Sequence, residues 1–239
     1  MDNSEHLVEQ YLLALKRGPV VFEPDGEKTP DFALAGTIGV EVRRLNQNYR
    51  YLNGSIEGLE ELAIPIWRNL KTSLSTIGPS ISGESWYVKI TFRRPIDPWK
   101  LLWKKIKKEL CAFMNSADRK QCIISVADNF DLGLNRASKD HGSFFLLGSS
   151  SDYDSGGRTM GEIEKNLRFC IEEKERKIAN SFQRKRYAEW WLILPDHIGY
   201  SMEPGDRDVF RVEIMPNLHH SFNKIILLDS RDHHRAFEI

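Results

Sequence analysis

In residues 30–44, PDFALAGTIGVEVRR, two short apolar runs are separated by little more than Gly36. Side chains alternate along a strand, so Phe32 and Leu34 share one face while Asp31 and Ala33 take the other. After the turn, Ile38, Val40 and Val42 are apolar, and Glu41 and Arg43 lie opposite them. A hairpin centred on Gly36 sets Phe32 across from Val40 and Asp31 directly across from Glu41. Like charges so placed repel. The pattern therefore requires a cation between the two carboxylates.

The rest of the chain supplies alternating helices and strands. A first helix is expected in EHLVEQYLLALKRG, with Leu7, Tyr11 and Leu15 as its apolar stripe and Gly18 as its stop. PVVFEPDG reads as a strand running into a turn. A helix from about Ile56 is expected to kink or divide at Pro65, and ESWYVKITFRR is a strand. DPWKLLWKKIKKELCAFM is a helix capped by Asp97, with Pro98 in its first turn. QCIISVAD is another strand, LGSSSDYDSGGRT is expected to be a loop, and a long helix is expected from about Met160 to Arg186. EWWLILPD, the most apolar strand, belongs at the centre of a sheet, and DVFRVEIM and FNKIILLD are expected to add two more strands. The class is α/β, a central mixed β-sheet flanked by helices. A single domain over 1–239 is expected, with embellishments in 46–158.

Bulk properties narrow the partners. Lys plus Arg and Asp plus Glu each number 34, so no global basic field marks a nucleic-acid binder, and an anionic partner needs a local patch. Cys111, Cys122 and Cys170 are too scattered for a disulfide framework or a zinc motif. The start MDNSEHLVEQ lacks a signal pattern and no apolar run reaches membrane-spanning length, so a cytoplasmic protein with no membrane partner is expected.

Pro30-Asp31 opening one strand and Glu41-Val42-Arg43 on the next, after a helix and a strand, resemble the PD-(D/E)xK nuclease superfamily. The downstream EEKERKIANSFQRKRYAEWWLIL resembles the helix and apolar strand that accompany such motifs. The resemblance covers roughly residues 5–45 and 160–196. It implies a restriction-endonuclease-like core and hydrolysis of phosphodiesters, DNA above all, with Mg²⁺ or Mn²⁺ held by Asp31 and Glu41. Glu23 is a third candidate metal ligand, and Glu9 on the first helix a further acid. The resemblance leaves the oligomeric state open, a homodimer among the options.

One position departs from the pattern. Arg43 stands where the family carries a lysine, and a guanidinium does not give up its proton. Either the role has moved or activity is lost. In the long helix, Ile163, Leu167, Cys170, Ile171, Ile178 and Phe182 share a stripe, and Lys174 falls inside it. A lysine in that register is costly unless paired, and a carboxylate of the hairpin would satisfy it; otherwise its stem snorkels to solvent. Lys177 is a less well-placed second choice, and Arg43 is as readily a salt-bridge partner of Asp31 as a catalytic group.

Other charged groups have plainer readings. Lys100, Lys104, Lys107 and Lys108 lie away from the apolar stripe of their helix, a solvated face or a phosphate track. Arg184, Lys185 and Arg186 suit a helix C-terminus. The pairs His219–His220 and His233–His234 lack cysteine partners and helical spacing, so zinc is not expected there. Three functional classes remain in view: a metal-dependent nuclease with Asp31, Glu41, Arg43 and Lys174 as its machinery, a catalytically inactive module that binds nucleic acid or protein, and an unrelated α/β protein carrying the motif by chance.

Overall fold

The computed structural model describes residues 1–26, 28–200 and 202–239, apart from the side chain of Gln183. The chain divides into two compact units, residues 1–47 with 157–239 and residues 48–156. Each is α/β with a mixed sheet of its own.

The first unit begins with α1 (Asn3–Ala14). The Asp2 carboxylate accepts from the N–H groups of Ser4 and Glu5, and the Glu5 carboxylate accepts from the N–H of Asp2, a capping box. Its buried positions are Ser4, Val8 and Leu12. The expected stripe of Leu7, Tyr11 and Leu15 is the margin of that face, packed against it but only partly covered. Strands β1 (Val20–Phe22), β2 (Phe32–Leu34) and β3 (Ile38–Val42) follow as an antiparallel meander. Phe32 pairs with Val40. Ala35 and Gly36 both take positive φ in the turn, where the Thr37 N–H donates to Leu34 O.

The second unit opens on the short hairpin β4 (Asn48–Arg50) and β5 (Ile56–Gly58), then α2 (Leu59–Leu74). The helix thus starts three residues later than expected and is a single element through Pro65. Pro65 and Glu61 are both exposed, so the carbonyl that proline leaves unpaired meets water. Next come β6 (Trp86–Phe92), α3 (Trp99–Met114), β7 (Cys122–Ala127), β8 (Phe130–Arg136) and β9 (Phe145–Asp152). Asp97 does not cap α3: its carboxylate binds Lys105 Nζ at 2.7 Å, and Pro98 occupies the cap position. The expected loop at 147–159 is strand through Asp152, because an edge strand pairs on one side only and tolerates polar residues. The sheet order is β7-β8-β6-β9. Ile66, Leu70 and Leu74 of α2 and Leu102, Ile106 and Leu110 of α3 cover one face of it.

The chain then returns to the first unit with α4 (Thr159–Ala179), β10 (Glu189–Asp196), α5 (Pro204–Val209), β11 (Lys224–Asp229) and β12 (Ala236–Glu238). α4 stops well short of Arg186. Asn180 and Ser181, which compete for backbone hydrogen bonds, end it, and Phe182 lies exposed in a 3₁₀ turn outside the buried stripe. The stretch DVFRVEIM is helical rather than a strand: α5 continues into a π turn at Phe210–Ile214. Phe210 and Ile214 are buried while Val212 is exposed, the four-residue period of a helix.

In the six-stranded sheet β1-β2-β3-β10-β11-β12, β10 lies parallel to both β3 and β11, interior as its apolarity demands. Phe32, Val40, Val42, Trp191 and Ile193 pack toward Val8 and Leu12 of α1. Ala33, Leu192, Leu194 and Leu227 pack on the opposite face with Ile163, Leu167, Cys170 and Ile171 of α4. Gly39 is required by packing: a Cβ there would come within 2.9 Å of the Trp190 ring.

Candidate active site

Asp31 precedes β2 by one residue and Glu41 lies within β3, so the Phe32–Val40 pairing brings them opposite one another. Strand alternation turns Glu41 away from the α1 core, toward α4. Lys174 and Lys177, three residues apart on α4 and so neighbours on its surface, meet them there. Lys174 Nζ lies 2.6 Å from Glu41 Oε2 and 3.1 Å from Asp31 Oδ2. Lys177 Nζ lies 3.2 Å from Glu41 Oε2 and 3.4 Å from Asp31 Oδ1. The Val42 N–H donates to Asp31 Oδ2 at 2.7 Å, fixing that carboxylate against β3. The cation demanded between the two acids is therefore in place, supplied by a pair of ammonium groups.

Burial and charge act differently on the two carboxylates. Glu41 is fully buried. Burial raises its pKa above the ordinary value, with the charge of Asp31 adding to the rise, although Lys174 opposes both. Burial also acts to raise the pKa of Asp31, but Lys174, the Val42 N–H and Lys177 outweigh it, and the result lies below the usual range. For Lys177, burial is outweighed by the two carboxylates and the pKa rises. Glu41 Oε1 has no hydrogen-bond partner among the described residues. An orphaned buried oxygen of this kind is costly, and here it sits beside a second carboxylate.

Lys174 is itself buried, its head held by the acids and not by solvent. Lys177, which lies off the apolar stripe, reaches both acids as well. Its spacing of three from Lys174 is the sequence signal that would have promoted it. Arg43 does not bridge to Asp31. Its guanidinium forms an ion pair with Glu173 of α4 and lies 4.9 Å over the Phe169 ring, while its N–H donates to Ile193 O. Strand and helix thus exchange partners: β3 offers Glu41 and Arg43, and α4 answers with Lys174 and Glu173. Glu173 was not evident as a partner, because nothing local pairs it with residue 43.

The remaining candidates lie apart. Glu23, at φ +43°, donates its N–H to Asp31 O, but its carboxylate takes no part in the hydrogen bonds of the Asp31–Glu41–Lys174–Lys177 group. Glu9 sits on α1, on the opposite face of the sheet, beside His6 at 3.5 Å. Arg186 pairs with Asp25. At the turn before β12, Asp232, His233 and His234 each bring one ligand-type atom within 4.8 Å of the others.

Comparison with protein-family models, curated proteins and solved structures finds no match to this chain. Among the described residues, no helix is long and apolar enough to cross a membrane.

The opposite pKa shifts predict a specific acid response. A carboxylate with a depressed folded-state pKa contributes stability that is present above its unfolded value and lost as pH falls through the folded one. Asp31 therefore supports the fold at neutral pH and begins to lose that role below about pH 4, the loss continuing as pH falls through its depressed folded-state pKa. Glu41, shifted upward, has the opposite sign: its ionisation costs stability as pH rises through its folded-state pKa. The difference in melting temperature between wild type and Asp31→Asn is expected to hold from pH 7 to about 5 and to shrink below about 4. Thermal melts across that range measure it. A difference independent of pH would mean that Asp31 is not paired in solution.

Proposed function

We propose that the chain is a metal-dependent nuclease of restriction-endonuclease-like fold that hydrolyses phosphodiester bonds of DNA. The observation that carries this reading is the buried Glu41 carboxylate, its Oε1 without a partner, facing Asp31 and Lys174. Two adjacent carboxylates form a hard-oxygen donor set that suits Mg²⁺ or Mn²⁺. A helix and three antiparallel strands, then α4 leading to β10 parallel to β3, give the element order that the resemblance implies.

Asp31 and Glu41 would hold the ion, which when bound polarises the phosphodiester and lowers the pKa of a coordinated water. Lys174, within hydrogen-bonding reach of both acids, is placed to orient that water or move its proton. Lys177, more exposed than Lys174, is the group placed to yield as the ion enters. Arg43, committed to Glu173, anchors α4 to β3 and so sets the distance from which Lys174 acts.

A second reading has its own support. Two ammonium groups already neutralise the two acids, which is also what a retired site would look like. The module would then bind nucleic acid or protein without cutting it. Cleavage of single- and double-stranded DNA in Mg²⁺ or Mn²⁺ separates the two. Wild type is expected to cut, and Arg43→Lys to change the rate by no more than a few-fold, since residue 43 faces Glu173. Absence of cleavage by wild type, with activity appearing in Arg43→Lys, would establish the inactive module instead.

A further inference from the structure

The second unit leaves one face of its four-stranded sheet open. α2 and α3 cover the side built from Trp86, Val88, Ile90 and Phe92 of β6. The alternate residues Tyr87, Lys89, Thr91 and, just beyond the strand, Arg93 project from the other side, where Tyr87, Lys89 and Arg93 are exposed. The span from Tyr87 to Arg93 is roughly 20 Å at about 3.3 Å per residue. Each end carries an aromatic ring. Tyr87 stands edge-on to His141, with centroids 5.8 Å apart, and Tyr153 lies 5.3 Å beneath the Arg93 guanidinium.

Gly133 of β8 and Gly148 of β9 flank the β6 row. Gly133 is not imposed by crowding, because a Cβ there would meet Lys89 Cβ at 3.5 Å, an ordinary contact. Nor does it have a positive φ. Glycine inside a strand costs about 0.5–1 kcal/mol, so the strand forgoes stability at a position where a Cβ fits. A close-approaching ligand is a standard reason for such a glycine. The face carries charges of both signs, with its cations on the β6 row. Lys89 and Arg93 form no ion pair among the described residues, while Asp131 lies across the sheet from Thr91 and Asp128 lines the same cleft as Arg93 and Tyr153.

We infer that this face binds single-stranded DNA, with bases stacked on Tyr87 and Tyr153 and phosphates drawn to Lys89 and Arg93. Aromatic platforms interleaved with cations on an open surface are what unpaired bases require. A duplex, whose bases are already stacked, gains nothing from the rings. The inference rests on the nuclease reading for its choice of DNA.

The test is fluorescence anisotropy of the whole protein with a labelled oligo(dT), in EDTA so that no metal-dependent cleavage occurs. Wild type is expected to bind it in preference to duplex. Tyr87→Leu and Gly133→Val are each expected to weaken binding roughly tenfold without lowering the melting temperature. Lys89→Gln is expected to reduce the slope of log K against log salt by about 0.7. Variants that bind like wild type would overturn the inference, as would equal affinity for duplex, tighter binding of RNA of the same sequence, or no binding. Its failure is distinguishable from failure of the nuclease reading: Lys174-dependent cleavage without binding at this face would leave the active site standing, and binding without cleavage would do the reverse.

Discussion

Lys174→Met is expected to abolish metal-dependent DNA cleavage and to destabilise the metal-free protein, with Mn²⁺ restoring much of the lost stability. The side chain of Lys174 is only 8% exposed and that of Glu41 is fully buried, 2.6 Å away. Removing one partner of a buried pair leaves the other charge uncompensated and typically costs about 3–5 kcal/mol. Lys177 remains beside both acids but is 41% exposed, so its compensation is partial and the cost falls at the lower end of that range. For a protein of this size that amounts to a drop of roughly 6–12 °C in melting temperature. A divalent ion supplies the positive charge that the substitution removes. The stabilisation by Mn²⁺ should therefore be larger in Lys174→Met than in wild type, where the ion competes with the ammonium groups.

Activity should fall by about 10²–10⁴, the usual contribution of a positioned proton-transfer group. Lys174→Arg sharpens the experiment, since it keeps the charge but not a group that releases a proton. It is expected to hold the fold and still lose cleavage. If Lys174→Met cuts DNA at the wild-type rate in saturating Mn²⁺, Lys174 is a structural ion-pair partner and the catalytic role assigned to it is wrong.

The position of this lysine was legible in the sequence because two independent constraints meet on it. The hairpin alternation demanded a cation, and the helical stripe from Ile163 to Ile178 placed a lysine where only a buried partner would make it tolerable. The β2–β3 register and the interior position of β10 were legible for a similar reason, as a one-residue slip would turn Phe32 and Val40 to the wrong face. What was not legible had no such redundancy. Phe210, Val212 and Ile214 alternate with Arg211 and Glu213 as a strand would, and only the burial of Phe210 and Ile214 with exposure of Val212 shows the helical period. Asp97 and Pro98 suit a helix start, but the carboxylate had a stronger partner eight residues on in Lys105. Arg43 was harder still. The acid nearest to it in sequence is Glu41, and its partner Glu173 comes 130 residues later, a pairing that only the packing of α4 on the sheet creates.

Combining Asp31→Asn with Glu41→Gln is expected to remove both the metal response and the cleavage, and to lower the stability of the metal-free protein. In wild type, Mg²⁺ or Mn²⁺ at 100 times its Kd should stabilise the native state by about 2.7 kcal/mol; in the double variant the shift should vanish. The hairpin alone argues that neutralising two facing carboxylates would relieve repulsion and raise the metal-free melting temperature. The structure reverses that sign. Lys174 and Lys177 already offset the repulsion, so the substitutions leave a buried ammonium without its carboxylates. The single variants should rank with Asp31→Asn costing more than Glu41→Gln at neutral pH, because ionisation of Asp31 supports the fold whereas ionisation of the buried Glu41 costs stability. Calorimetric titration with Mn²⁺ decides the matter independently of catalysis: equal affinity in wild type and double variant would place any bound ion elsewhere and remove the basis for the nuclease reading.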